Sequence, residues 1–254
     1  MNILIVESKN DQYFVEALAK EVSSVDKVCN IQIDKYKYSC LDENKLTAKI
    51  NESLTEMRSS RNFEKVSKMG VILDMDNSNQ EERIQLINTC LKKSFVECDY
   101  PTPTNLLTDV NNFITNPLDE YLHVKTACFF TNIDGKGELE TILKAIASQP
   151  SVFANCIYAG WKDCLERNGK TIGKSGEQCD IREKDLLKLW VDFYKRFDTL
   201  KKNDRDEENT DWEGIMLGIK DKEGNLKKAA RGKDIFDLQS DKLKDIKSFL
   251  SMFD

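Results

Sequence analysis

The stretch that decides the fold is MGVILDMDNS, Met69 to Ser78, in which an apolar run ends in Asp74 and Asp76. A short apolar run that ends in charge and leads into a polar, helix-starting segment predicts a buried strand of an α/β sheet. Parallel sheets bind ligands at the carboxyl ends of their strands. The pattern therefore predicts that both aspartates lie at a ligand-binding edge of the sheet.

The chain opens with a similar pattern, MNILIVESKND, in which the apolar run Ile3 to Val6 is followed by Glu7 and Asp11. Two strands that deliver acids to one edge suggest a site for a divalent cation, because Mg²⁺ and Mn²⁺ prefer carboxylate and water oxygens. Each acid pair taken alone has an ordinary alternative, since acids at helix starts are also common capping residues. The combination of the two pairs is more specific than either one.

The elements around these strands predict an α/β fold with a mainly parallel sheet and flanking helices. The predicted strands are 3–6, 28–38, 71–73 and 122–130, and the predicted helices between them are 10–23, 42–57 and 79–93. The segment from about 95 to 117 holds three of the four prolines and is interpreted as an insertion, with a hairpin arm near Leu106 to Val110. Acids cluster again after the last of these strands, at Asp134, Glu138 and Glu140.

Beyond Pro150 the apolar periodicity is entirely helical, with runs at 152–165, 186–200 and 243–253. We therefore predict two parts: an α/β domain over 1–150 and a helical C-terminal extension over 151–254 that packs on it. Trp190, Phe193 and Phe197 could stack on bases, but their helical spacing favours a role in the core.

The charge balance limits the partners of the protein. The 38 Lys and Arg residues are outnumbered by 44 Asp and Glu, for a net charge of -6, so the overall field repels phosphate. This argues against a tight, non-specific DNA binder. A nucleic acid would need a local basic patch, and the best one comprises Lys227, Lys228, Arg231 and Lys233. A solvated loop before a helix explains the same four residues equally well.

The remaining composition favours a cytoplasmic protein. The eight cysteines include no CxxC pair and follow no signal peptide, which favours a reducing compartment over a disulfide framework. No apolar run approaches the roughly 20 residues that span a membrane. A single histidine, His123, argues against a histidine-based zinc site.

These acids carry a family resemblance. An apolar strand followed by Glu7, and a later apolar strand followed by Asp74-x-Asp76, resembles the Toprim domain of topoisomerases, bacterial primases and the overcoming-lysogenization-defect nucleases. VESKND is similar to the EGxxD form of those nucleases and of small stand-alone Toprim proteins, with Asp11 as the second acid and Ser8 in place of the usual glycine. GELETIL resembles their later Gly-x-Leu-Glu segment, which points to Glu140 and also to Glu138.

The resemblance implies Mg²⁺- or Mn²⁺-dependent cleavage of phosphodiesters in DNA or RNA, in a defence or toxin-like setting. Glu7, Asp74 and Asp76 would be the catalytic metal ligands, and Glu7 could instead be a general acid or base. Asp11 and Glu140, with Glu138, would complete a second metal site. The cations proposed for phosphate contacts are Lys136, Lys162, Arg231 and Lys233. A topoisomerase or a primase is not expected, because the chain lacks room for a strand-passage gate and has no zinc module before the domain.

Two other functions remain open. The first is a non-catalytic Toprim module that binds nucleic acid, a nucleotide, a protein partner or a second copy of itself, which the acidic charge and Ser8 favour. The second is an α/β regulator that uses the same acids to bind a Mg²⁺-nucleotide. Both differ from a nuclease in leaving nucleic acid uncut.

Overall fold

The computed structural model describes residues 1–31, 41–59, 66–76, 78–132, 137–173, 179–202, 205, 211–221 and 223–254 of the 254-residue chain. These residues form two compact units. The first unit contains Met1–Leu73, Ser78–Phe130 and Asp245–Asp254, and the second contains Asp74–Asn77 and Thr131–Lys244. These divisions fall at places other than residue 150. The assignment of an α/β domain and a helical extension stays a prediction.

A five-stranded, mainly parallel sheet organises the first unit and confirms the predicted α/β class. The strand order is β2-β1-β3-β5-β4. Strand β1 runs parallel to both β2 and β3, whereas β4 is antiparallel to β5. The strand bounds are β1 Asn2–Val6, β2 Lys27–Asn30, β3 Val66–Asp74, β4 Ile114–Pro117 and β5 His123–Thr131. Most residues of β1, β3 and β5 are buried, as expected where both faces of a sheet are covered.

The helices of the first unit bury the apolar stripes that the sequence predicts. Their bounds are α1 Lys9–Val22, α2 Glu43–Ser59 and α3 Gln80–Glu97. Helix α1 begins at Lys9, one residue before the predicted start, and Ser8 is its N-cap residue. Helices α1 and α3 both begin with a capping box, in which the N-cap residue and an acid three residues later each accept a hydrogen bond from the other's backbone amide. The pairs are Ser8 with Asp11 in α1 and Asn79 with Glu82 in α3. The predicted strand 28–38 ends at Asn30 in the structure, and residues 32–40 lie outside the described residues.

The predicted insertion at 95–117 has three different parts in the structure. Residues 95–97 are the last residues of α3, and 101–113 contain neither helix nor strand. The segment 114–117 is strand β4, which pairs with β5. A hairpin therefore exists, but its first arm is β4, and the arm predicted near Leu106 to Val110 is wrong.

The C-terminal residues of the chain, Asp245–Asp254, complete the core of the first unit. Phe249 and Phe253 are fully buried. Phe249 lies 5.5 Å from the ring of Phe129, and Phe253 lies 5.3 Å from the ring of Phe113. Gly70 on β3 leaves room for the Phe253 ring, because a Cβ at this position would lie 2.7 Å from Phe253 Cζ. The tail is thus an integral part of the first unit.

The second unit consists of helices interrupted by two small strand pairs. Its helices are α4 Leu139–Ala145, α5 Val152–Arg167, α6 Glu183–Phe193, α7 Trp212–Leu217 and α8 Gly232–Ile235. Helix α6 continues as a π-helical turn, Tyr194–Asp198. Helix α9, Lys244–Ser251, belongs to the first unit from Asp245 onwards. The strand pairs are β6 Ile172–Gly173 with β7 Ile181–Arg182, and β8 Ile219–Lys220 with β9 Leu226–Lys228. Helices are present in each of the three regions of helical periodicity beyond Pro150, and the two short strand pairs lie between them.

The aromatic core of the second unit centres on α6 and its π-helical turn. Trp190 stacks on Tyr194 at 5.0 Å, and Tyr194 lies 5.8 Å from Phe236. Trp190 confirms the predicted core role, whereas Phe197 remains 38% exposed. Among the described residues, no helix has both the length and the apolar character that crossing a membrane requires.

Candidate metal centre

Asp74, the last residue of β3, is held in one orientation by two hydrogen bonds. Its Oδ1 accepts from the Thr131 hydroxyl at 2.6 Å and from the Leu139 amide at 3.2 Å. Thr131 is the last residue of β5, and Leu139 is the first residue of α4. Three elements that meet at a strand end therefore fix this carboxylate, which is buried.

Asp76 is positioned by an unusual backbone conformation. Its φ of 47° lies in the left-handed region, which aspartate tolerates better than most side chains. Its amide donates to the Gly137 carbonyl at 3.1 Å, which forms an isolated antiparallel bridge between the two residues. Gly137 itself has a φ of 107°. The bridge brings Asp76 next to Glu138, the residue after Gly137.

Asp74, Asp76 and Glu138 form the group that could hold a metal ion among the described residues. Each offers one carboxylate oxygen, and these oxygens all lie within 4.8 Å of one another. Lys184, in the first turn of α6, places its ammonium between them. Its Nζ lies 3.4 Å from Asp74 Oδ2, 3.3 Å from Asp76 Oδ1 and 2.9 Å from Glu138 Oε2. We call these four residues the acid–lysine cluster.

Burial and crowding raise the pKa of two carboxyl groups here. Burial, opposed by Lys184 and reinforced by Glu140 and Asp74, raises the pKa of Glu138 to about 7. The pKa of Glu140 is also raised, by burial first and then by the charge of Asp74, while Lys184 and Lys188 lower it. Burial first, and then neighbouring negative charge, penalises the ionised forms of these two groups. A bound cation would stabilise the ionised forms instead.

The donor set of the cluster fits a hard divalent cation. All three ligand atoms are carboxylate oxygens, the type that Mg²⁺ and Mn²⁺ prefer. Mg²⁺ binds oxygens at about 2.0–2.1 Å, so two of its ligands lie at most about 4.2 Å apart. The upper bound of 4.8 Å on the separations of these oxygens is close to that limit. Three protein oxygens would leave further coordination positions for water or phosphate.

Glu140, Glu7 and Asp11 are not members of this metal-compatible group. Glu140 lies in α4 close enough to Asp74 for their charges to interact. Glu7 is buried and directly follows β1 in the first unit. Asp11 is also buried and has a capping role, because it accepts hydrogen bonds from the Ser8 amide at 2.8 Å and from the Ser8 hydroxyl. The participation of these three acids in metal binding stays a prediction.

The cations predicted to contact phosphate lie in several different elements. Lys162 is in α5 of the second unit, where its charge lowers the pKa of Lys144 after the larger effect of burial. Arg231 precedes α8, and Lys233 is an exposed residue within it. Lys136 lies outside the described residues. Their contact with a nucleic acid stays a prediction.

Sequence reasoning missed two members of this site. Thr131 ends an apolar strand just as Asp74 does, so the same strand-end pattern could have identified it. Lys184 carries no comparable signal, because a lysine in the first turn of an amphipathic helix is normally a surface residue. Only the fold brings it to acids more than 100 residues away.

Comparison with known families covers nearly the whole chain. The model of a family described as protein of unknown function (DUF3226) matches residues 1–253. The chain belongs to the DUF3226 family. Searches of curated proteins and of solved structures found no match. In this DUF3226 protein the matched region includes both compact units and the whole acid–lysine cluster.

Proposed function

We propose that this DUF3226 protein is a Mg²⁺- or Mn²⁺-dependent nuclease of the Toprim type that cleaves phosphodiester bonds in DNA or RNA. The observation that carries the proposal is a group of three carboxylates at the end of β3, those of Asp74, Asp76 and Glu138. All three form ion pairs with the ammonium of Lys184. The parallel pairing of β1 with β3 supports it, because each of these strands is followed by or ends in acid. A defence or toxin-like setting rests on the family resemblance alone.

The residues of the cluster would have distinct roles in such a reaction. Asp74, fixed by Thr131 and Leu139, and Asp76, fixed through Gly137, would be rigid metal ligands. A bound divalent metal supplies charge stabilisation at the phosphate and activation of water. Glu138 would be the third metal ligand, and the metal would favour its ionised form over the protonated form that burial favours. Glu7 as general acid or base remains the role that the Toprim resemblance implies.

A non-catalytic module is the second candidate function, and one observation favours it. Lys184 forms ion pairs with all three acids of the cluster. A buried ion-pair network can be purely structural. The alternative protein would bind nucleic acid, a nucleotide or a protein partner without cleavage.

Metal binding is the first test, because anything that binds only the folded state stabilises it. Thermal unfolding is followed with EDTA, Mg²⁺ or Mn²⁺, in wild type, Asp76→Asn and Glu138→Gln. Asparagine keeps the left-handed conformation of residue 76 accessible and removes only the charge. Metal at 100 times its Kd should add about 2.7 kcal/mol to the stability of wild type. Both variants should lose most of this gain, whereas the control Asp163→Asn, in an exposed ion pair on α5, should keep it.

Cleavage is the second test. Wild type and Asp76→Asn are incubated with Mn²⁺ and single- and double-stranded DNA, transfer RNA and messenger RNA. Loss of at least one substrate with wild type, and at least 100-fold slower loss with Asp76→Asn, supports the nuclease. Metal binding without cleavage of any substrate selects the non-catalytic module. Cleavage that survives Asp76→Asn rules out the cluster as its source.

A further inference from the structure

We infer that Lys184 is a tethered cation that competes with the metal ion for Asp74, Asp76 and Glu138, and thereby sets how readily the centre takes up metal. The inference rests on the metal centre proposed above and adds its regulation by a residue of the same chain. It assigns Lys184 as a positioning residue that acts through the acids.

A metal ion held by the three acids would compete with Lys184 for the same carboxylates. The Lys184 Nζ lies within 3.4 Å of one oxygen from each of the three acids. The same three residues supply the oxygens that lie within 4.8 Å of one another. A metal bound by these oxygens would lie next to the present Nζ position, where two positive charges repel strongly in a partly buried site. The ammonium must therefore move away when metal binds.

The environment of Lys184 allows that movement without disturbing the core. Its helix is anchored by buried apolar residues, among them Leu187 and Trp190. The side chain of Lys184 is 17% exposed, so a route to solvent is open. Lysine has a long, flexible stem. Displacement therefore breaks the ion pairs of Lys184 with the three acids, while the buried apolar residues of α6 stay in place.

The same arrangement explains how the metal-free protein tolerates its crowded acids. Removing one partner of a buried ion pair leaves an uncompensated charge, which is strongly destabilising. Lys184 prevents this for three carboxylates at once. The cluster thus has a positive charge in either state, either the ammonium or the metal.

Calorimetric titration of Mg²⁺ and Mn²⁺ into wild type, Lys184→Met and Lys188→Met tests the inference. Lys188 is exposed and lies one turn further along α6. Its charge lowers the pKa of Glu140, but Lys188 is not a member of the acid–lysine cluster. Its variant therefore measures the general effect of removing a positive charge nearby. Lys184→Met should bind metal at least ten-fold tighter than wild type, and Lys188→Met less than three-fold tighter. Lys184→Arg, which keeps the charge, should stay within three-fold of wild type.

A measurement on the wild-type protein covers the case in which Lys184→Met fails to fold. The acylation of individual lysines by an amine-reactive ester is followed by mass spectrometry, with EDTA and with saturating Mg²⁺. Lys184 should react at least three-fold faster with metal, because its ammonium has left the acids. Lys188 should react at the same rate in both conditions. An unchanged or slower reaction of Lys184 with metal overturns the inference.

The outcomes separate this inference from the metal centre itself. If neither wild type nor Lys184→Met binds metal, the proposed centre is wrong. If wild type binds metal and Lys184→Met binds no more tightly than Lys188→Met, the centre stands and the competition is wrong.

Discussion

At the scale of single residues, the candidate site depends on backbone conformations that most side chains avoid. Asp76 and Gly137 both have positive φ, and one hydrogen bond joins them. Strained residues of this kind concentrate at functional sites, since the surrounding structure must hold them in place. A regular strand beyond Asp74 would not produce this bridge. The bridge between Asp76 and Gly137 therefore helps to set the separation between the Asp76 and Glu138 carboxylates.

Replacing Gly137 should weaken both the fold and the metal response. A Cβ at this position would lie 2.9 Å from the Thr141 hydroxyl oxygen, and the φ of 107° is itself unfavourable for alanine. We expect Gly137→Ala to lower the free energy of unfolding by about 1–3 kcal/mol and to abolish the metal-induced rise in Tm. Gly224→Ala is the matched control, because its φ is 85° and no atom lies within 4 Å of the added Cβ. An equal metal-induced rise in Tm in both variants would show that the bridge between Asp76 and Gly137 does not position the ligands.

At the scale of elements, the long apolar runs were predictable and the short irregular pieces were not. Strands β1, β3 and β5 and helices α1 to α3 follow from periodicity, because each buries a continuous face. The pairs β6–β7 and β8–β9 have two or three residues per strand, too few to show any period. Sequence therefore predicts the sheet and misses much of the detail of the second unit.

The candidate site divides in the same way. Asp74 and Asp76 could be found because the end of an apolar strand marks them locally. Glu138 was noted in a cluster of acids after the strand 122–130, and the family resemblance pointed to it as a ligand, whereas Lys184 was not found at all. The contact of Lys184 with the acids depends on the packing of the second unit, which contains all four residues. No local pattern records a contact between residues so distant in the chain.

The C-terminal helix α9 should contribute as much to stability as a central element. Phe249 is fully buried and contacts both Phe129 and Phe253. Truncation of a buried phenylalanine removes apolar contacts and leaves a cavity, which costs about 3–5 kcal/mol. Phe249→Ala should therefore lower the free energy of unfolding by that amount in urea denaturation. Ser248→Ala, an exposed change in the same helix, should remain within about 0.5 kcal/mol of wild type. A small effect of Phe249→Ala would mean that α9 does not complete the core.

At the scale of the whole molecule, the net charge of -6 opposes any binding of nucleic acid. Affinity must then come from local contacts, with metal at the cluster and basic side chains elsewhere. Arg231 and Lys233, at the start of α8, are the predicted contacts that can be tested together. Each lysine or arginine that neutralises a phosphate releases counterions, which steepens the dependence of affinity on salt.

Salt dependence separates a direct phosphate contact from a general effect of charge. Binding of labelled single- and double-stranded oligonucleotides by the Asp76→Asn protein is measured by fluorescence anisotropy between about 50 and 200 mM salt. Adding Arg231→Glu and Lys233→Glu should reduce the slope of log K against log salt by about 2. Adding Lys242→Glu and Lys244→Glu changes the net charge equally at two exposed positions. Because the overall field changes alike in both pairs, only lost phosphate contacts can make their slopes differ, and equal slopes would remove Arg231 and Lys233 from the interface.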